Sequence, residues 1–239
     1  MSIGLANDMA EFPVRRATLW QDAVRLLLLL DAAAKPVDAD APEVPVGAVG
    51  VVYTQVRLQK LDFWVRNPDY LANELLNDYE ADPESPGLVD EAARILAGQE
   101  PDLRRFPMLR HRFGAFEELD NALAVLVEKG LARKRHRLGG ERIIQHNYYL
   151  LEQGRTTAAG LVSEAPALQW YLERTRMVVN LVDGVGGTQI KDRQYLQRDY
   201  AGTPIGSYIP AITEQVRARL EALRPSDAPG QARFAAVPQ

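Results

Sequence analysis

The 239-residue sequence contains no cysteine, which excludes disulfide bonds and thiolate metal ligands. It contains only three histidines, His111, His136 and His146, and their spacing matches no zinc-binding helix motif. The longest apolar run, Leu26 to Leu30, is too short to cross a bilayer. The first residues lack the basic and apolar regions of a secretory signal. We therefore expect a cytoplasmic protein without a membrane partner.

Common catalytic and nucleotide-binding motifs are also missing. The glycines near Gly184 follow a predicted helix and lack P-loop spacing, and those near Gly47 do not form a dinucleotide fingerprint. No lysine has an acidic residue two positions before it, so a common nuclease motif is absent. Acidic pairs such as Glu117-Glu118 are better explained as helix starts. We predict that the protein is not an enzyme and needs no cofactor, with enzyme activity kept as the third alternative.

Charge is distributed unevenly along a chain whose formal net charge is −4. Between Asp38 and Asp102 there are 14 acidic and 4 basic residues, a difference of −10. Between Arg104 and Arg155 there are 11 basic and 6 acidic residues, a difference of +5. This separation of charge bears on the choice of binding partners rather than on the fold.

Most of the chain has apolar residues at helical spacing. We predict a helix from Leu19 to Ala34, a second opened by Thr54, a third capped by Asp69, and a short one from Leu88 to Leu96. Segment 37–50 is rich in proline and glycine and is predicted to be a loop, as is 98–107. After Pro166 the pattern is helical to Leu223, with Thr188 as a cap, and residues 225–239 are expected to be disordered.

The segment from Phe116 to Gly154 has the pattern of a winged helix. An amphipathic helix ends at Gly130, and two strand-like runs surround Gly139-Gly140 before a further helix begins. We predict a mainly α fold with a small β-hairpin, in which a winged-helix domain is embedded in a helical protein. The predicted regions are an N-terminal helix and loop (1–53), a winged-helix core (54–163), a C-terminal helical region (164–224) and the tail (225–239).

The predicted hairpin is basic, which favours contacts with phosphates. Because alternate strand residues face opposite ways, a solvated polar surface remains an equal alternative. The preceding helix begins with Glu117, Glu118 and Asp120, whereas helices that read the major groove usually present Arg, Asn or Gln. A wing that contacts backbone phosphates or an acidic protein therefore fits better than a conventional repressor. The candidate nucleic-acid-binding residues are Arg133, Lys134, Arg135, Arg137 and Arg142.

Three stretches carry a family resemblance: LQKLDFWVRNPDYLANEL (58–75), MLRHRFGAFEELDNALAVLVEKGL (108–131) and GGTQIKDRQYLQRDY (186–200). In this order, and with YLLEQG at the end of the hairpin, they resemble the middle components of bacterial ABC-three-component systems. The small subunit of Lamassu-type anti-phage systems is similar. The resemblance covers roughly 58–200.

This resemblance implies a non-catalytic adaptor that joins an SMC- or Rad50-like ATPase to an effector, often a nuclease, acting on invading DNA. The implied partners are those two subunits and DNA, the latter through phosphate contacts. A free winged-helix transcription regulator or an antitoxin-like protein remains the alternative, since related winged-helix proteins have those roles.

Overall fold

The computed structural model describes residues 17–38, 41, 43–98, 100, 105–112 and 114–224. The tail 225–239 and part of the predicted loop 98–107 lie outside these residues. The fold is mainly α-helical, as the sequence predicted, and its strands form a three-stranded antiparallel sheet and a separate two-stranded one. The described helices are α1 (Leu19–Ala33), α2 (Gln55–Arg66), α3 (Pro68–Ala81), α4 (Gly87–Ala97), α5 (Asp120–Glu128), α6 (Glu152–Glu164), α7 (Gln169–Leu181), α8 (Gly187–Tyr195), α9 (Arg198–Gly202) and α10 (Thr213–Leu223); the strands are β1 (Ala48–Tyr53), β2 (Leu109–His111), β3 (Gly114–Phe116), β4 (Ala132–Gly139) and β5 (Arg142–Leu151).

The predicted hairpin is present as β4 and β5, which are joined by the two-residue turn Gly140-Glu141. Gly140 has φ +67°, a conformation that glycine adopts at little cost and that suits the first central residue of a tight hairpin turn. The strand order is β1-β5-β4, so β5 is central and β4 forms one edge. The sheet thus joins the hairpin to a strand near the start of the chain.

Strand β1 corrects the prediction of a loop over 37–50. The strand begins at Ala48 and includes Val51 and Val52, which are fully or almost fully buried. Its residues pair with β5, for example Val52 with Tyr148. The predicted division between residues 53 and 54 therefore falls immediately after a strand that completes the hairpin's sheet.

The hydrophobic core is built around α1, whose run from Leu26 to Leu30 is completely buried. Thr18 starts this helix with a reciprocal capping pair, because its hydroxyl accepts from the Gln21 N–H while the Gln21 side chain accepts from the Thr18 N–H. One face of the sheet, carrying Val52 and Tyr148, belongs to this same core. Within the described ranges, no helix combines the length and apolar character needed to cross a membrane.

Two predicted helix starts are corrected by the structure. The helix expected from Phe116 begins at Asp120, because Phe116 ends β3 and pairs with Leu109 of β2. Asp69 lies inside the first turn of α3 rather than capping it. Its carboxylate instead accepts from the Tyr70 N–H at 3.0 Å and from the Ile212 N–H at 2.8 Å. Asp69 therefore connects α3 to the start of α10.

The region after Pro166 is less continuous than its helical pattern predicts. Thr188 lies within α8, whose N-cap is Gly186. Residues 203–212 are not helical, and Tyr208 forms an isolated bridge with Leu109. This segment contains Pro204 and Pro210, which lack the backbone N–H needed to continue a helix.

The three stretches 58–75, 108–131 and 186–200 meet in the interior. The Tyr200 hydroxyl accepts from the Ala115 N–H at 2.7 Å and lies 3.2 Å from the Lys60 ammonium. The Gln59 amide donates to the Glu117 carbonyl at 2.6 Å and accepts from the Glu117 N–H at 3.1 Å. These contacts fix β3 and the end of α9 against α2.

Candidate nucleic-acid interface

The β4–β5 hairpin has two chemically different faces. Residues directly opposite each other in an antiparallel pair lie on the same face, and neighbours along a strand alternate. Lys134 is opposite Tyr148, on the face that joins the core, which we call the inner face. Arg133 is opposite Tyr149 and Arg135 is opposite Asn147, so both lie on the other, outer face, as does Arg137.

Lys134 is thus separated from the arginines with which the sequence grouped it. Its ammonium lies 3.0 Å from the Asp120 carboxylate at the start of α5 and 5.9 Å from the centre of the Tyr148 ring. This ion pair connects the inner face of β4 to α5. Lys134 is therefore placed to hold the hairpin in position rather than to bind a ligand on the outer face.

Three other cations remain available on the hairpin. The side chains of Arg135, Arg137 and Arg142 are exposed and form neither a hydrogen bond nor an ion pair with the described part of the chain. Arg133 is also exposed, but its guanidinium donates to the Val127 carbonyl at 3.2 Å, near the end of α5. Because no carboxylate among the described residues forms an ion pair with these three guanidinium groups, they can bind phosphates or acidic side chains of a partner.

A cleft of about 850 Å³ lies between the outer face and an opposite wall formed by Pro36, Val37, Asp38, Ala41, Glu43 and Val44. Its sheet wall includes Arg135, Arg137 and Tyr53, while the opposite wall includes Asp38 and Glu43. The two carboxylates disfavour a polyanion inside the cleft. Because Arg135 and Arg137 line the cleft but are exposed, we limit the candidate phosphate contacts to the solvent-facing ends of these two side chains and to Arg142 at the tip of the hairpin.

Helix α5 presents an acidic surface beside the hairpin. Its exposed residues are Asp120, Asn121, Ala124 and Glu128, none of which is basic. A helix with this surface is poorly suited to the major groove, where cations and amides approach base edges and phosphates. The positive charge of this region thus lies on the strands.

The hairpin tip carries an apolar cluster that the sequence pattern did not indicate. Leu138, Ile143 and Ile144 are 60%, 51% and 59% exposed. The strand register shifts between Arg137 and Leu138. The alternation of faces along the strand is interrupted there, so the sequence alone does not predict which face these apolar residues occupy. Exposed aliphatic groups next to arginines are typical of surfaces that contact proteins rather than phosphates alone.

Two histidines face each other across the hairpin. The Nδ1 atoms of His136 and His146 are 2.9 Å apart, so one imidazole donates to the other. Partial burial and the nearby charges of Lys134 and His136 lower the pKa of His146. The third histidine, His111, lies on β2, and the described residues include no group of three or more side chains able to hold a metal ion.

This arrangement can bind anionic groups through Arg135, Arg137 and Arg142 and apolar groups through the tip. Both surfaces belong to one supersecondary unit, the β4–β5 hairpin, whose strand β5 also pairs with β1 from Asn147 to Leu151. No family model, no curated protein and no solved structure matched this chain when it was compared with them.

Proposed function

We propose that this chain is a non-catalytic adaptor that links an SMC/Rad50-like ATPase to an effector nuclease in a prokaryotic anti-phage or anti-plasmid defence complex. Such a complex meets invading DNA in the cytoplasm. The observation that carries the proposal is the convergence of the three family-like stretches in the interior, at Lys60, Ala115 and Tyr200. The residues that carry the family resemblance also make the contacts that hold the fold together, and this supports a fold shared with that family.

We further propose that the scaffold contains a winged helix. Such a fold places a helix before a hairpin and adds an earlier strand to the hairpin's second strand. Helix α5 precedes β4 and β5, and β1 pairs with β5, which supports this assignment. The unit would comprise α1, β1, α2, α5 and the hairpin, with α3, α4 and β2–β3 inserted between α2 and α5.

The distribution of charge supports an adaptor better than a conventional repressor. The acidic surface of α5 opposes entry into a DNA groove, while Arg135, Arg137 and Arg142 offer sequence-independent phosphate contacts. The exposed tip, with Leu138 and Ile144, supplies apolar area for a protein contact. In this proposal the tip meets a partner subunit and the arginines contact DNA.

Co-expression with the products of adjacent genes tests the adaptor proposal. The chain should co-elute in size-exclusion chromatography with a large coiled-coil ATPase, and adding the effector should give a larger complex. The triple variant Arg135→Ala, Arg137→Ala, Arg142→Ala should assemble normally but lose DNA affinity. Separate elution of the wild-type subunits at micromolar concentration would reject the adaptor function.

A free winged-helix regulator is the second candidate, favoured by the unpaired arginines of the outer face. It predicts nanomolar binding to an operator, a strong preference over unrelated sequences and a steep salt dependence. Fluorescence anisotropy with a panel of upstream DNA fragments measures all three. Equal, weak binding to every fragment would exclude this alternative.

A further inference from the structure

A small pocket lies between α2 and the β2–β3 hairpin and has a volume of about 270 Å³. Its walls are largely apolar and include Val56, Ala115 and Phe116. Val56 and Phe116 are partly exposed, so they border the entrance. A cavity of about 150 Å³ accommodates benzene, so this pocket has room for a substituted ring.

The Lys60 side chain provides the pocket's buried amine. Lys60 is only 2% exposed, and its Nζ lies 3.2 Å from the Tyr200 hydroxyl and 3.5 Å from the Ala115 carbonyl. Each of the three family-like stretches supplies one member of this group. The three stretches therefore form part of the core and also the immediate surroundings of the Lys60 amine.

Gly114 leaves the space next to this amine open. Its φ of +102° is rarely adopted by other residues, and a Cβ at this position would lie 2.6 Å from the Lys60 Nζ. The same Cβ would lie 2.3 Å from the Tyr200 hydroxyl. A side chain at position 114 would consequently displace the amine or the hydroxyl.

The environment makes the amine a better nucleophile than an ordinary lysine. Burial, and secondarily the charge of Lys191, lower the pKa of Lys60 to about 8. At pH 7.4 about 20% of such an amine is neutral, compared with about 0.1% at the usual lysine pKa of about 10.4. The neutral fraction is therefore about 200-fold larger, and a neutral amine in an apolar pocket is the form that attacks carbonyl carbon.

We propose that Lys60 forms an imine with a small, mostly apolar aldehyde or ketone that occupies this pocket. The Nζ lone pair attacks the carbonyl carbon, and transfer of a nitrogen proton to oxygen gives a carbinolamine. Loss of its hydroxyl group together with the remaining nitrogen proton, as water, forms the carbon–nitrogen double bond, so no electrons are gained or lost overall. The Tyr200 hydroxyl is close enough to Nζ to relay a proton.

Competition among the five lysines of the full chain tests the inference. The protein is incubated at pH 7.4 with a low concentration of benzaldehyde and cyanoborohydride, which reduces any imine to a stable benzylamine. Peptide mass mapping should show at least about tenfold more modification at Lys60 than at Lys129 or Lys191. The ratio of Lys60 to Lys129 modification within one sample should be largest near pH 7 and fall as pH rises from about 8 to 10.5, because the exposed lysines then become neutral as well. Modification that favours exposed lysines, or spares Lys60, would overturn the proposal.

Blocking the entrance tests the role of the pocket without changing the amine. Val56→Trp should reduce Lys60 modification at least about fivefold, because the larger ring narrows the opening. Val46→Trp is the matched control, since Val46 is fully exposed and does not line the pocket, and it should react like the wild type. Equal reaction of the two variants would contradict entry through this pocket. Both labelling experiments use the chain alone, so their results do not depend on whether the proposed adaptor function is correct.

Discussion

The Lys134 ammonium lies 3.0 Å from the Asp120 carboxylate, on the opposite face of the hairpin from Arg135 and Arg137. The double variant Arg135→Ala, Arg137→Ala should therefore weaken DNA binding and reduce the slope of log affinity against log salt by about 2. Lys134→Ala should leave both quantities nearly unchanged. Fluorescence anisotropy with a duplex at several salt concentrations measures them. Equal losses in the two variants would show that the face assignment does not govern binding.

The apolar tip gives a prediction about partner binding. Leu138→Ser with Ile144→Ser should abolish co-elution with the ATPase subunit, because both side chains are exposed and available to an apolar pocket. The free energy of unfolding should change by less than about 0.5 kcal/mol, as expected for surface positions. Chromatography and urea denaturation provide the two readouts. Retained assembly would place the contact elsewhere on the chain.

Gly114 should tolerate substitution poorly. Gly114→Ala adds a Cβ that overlaps Tyr200 and Lys60 and imposes an unfavourable φ. We expect a loss of about 2–4 kcal/mol in the free energy of unfolding. Gly160→Ala is the control, because Gly160 lies in α6 with nothing within 4 Å of an added Cβ, and it should be neutral or slightly stabilising. Similar effects at both positions would contradict the close packing at Gly114.

The lowered pKa of Lys60 makes stability depend on pH. Between about pH 8 and 10.5 the unfolded chain binds a proton that the folded chain does not, so folding is favoured as pH rises. The contribution is complete above the unfolded pKa and disappears as pH falls through about 8. The wild type should gain up to about 3 kcal/mol across this window relative to Lys60→Met. Urea denaturation at several pH values measures the free energy of unfolding of both proteins. The same pH dependence of that free energy in the wild type and in Lys60→Met would contradict the lowered pKa.

A buried ion pair provides a prediction about the C-terminal helices. Arg193 of α8 pairs with Glu74 of α3, which is 1% exposed, and also with Asp78 at 2.6 Å. Arg193→Ala should destabilise the fold by about 3 kcal/mol, because Glu74 would remain buried without its main cation. Arg224→Ala breaks an exposed pair with Glu221 and should cost less than about 0.5 kcal/mol. Thermal and urea denaturation compare the two, and a small effect of Arg193→Ala would reject this role.

Local patterns predicted α1, α2 and the hairpin because their signals lie within each segment. Thr54 does precede α2, and its hydroxyl accepts from the Arg57 N–H at 3.1 Å. Strand β1 was missed because its pairing partner, β5, lies almost 100 residues later and no local signal reports it. Phe116 fitted a helical repeat but became part of β3 through its pairing with Leu109. Pairing with another strand determines both structures, with a distant partner for β1 and a partner seven residues earlier for Phe116.

The candidate interface was predictable in composition but not in arrangement. Strand alternation indicated that not all five basic residues could share a face, and the register places Lys134 on the inner face and Arg133, Arg135 and Arg137 on the outer face. Its contact with Asp120 depends on how α5 packs against β4, which the local pattern does not specify. Lys60 was also missed as a site residue, since its burial depends on Gly114 and Tyr200 from two distant stretches.

The pairing of β1 with β5 has a consequence for the order of folding during synthesis. Val51 leaves the ribosome 98 residues before its partner Tyr149. At about 5–20 residues per second, β1 must wait roughly 5–20 s for that partner. During this time the backbone edge of β1 that pairs with β5 has no partner, so a nascent chain that stalls before β5 exposes an aggregation-prone strand edge. Translation speed between these two strands therefore influences the yield of folded protein.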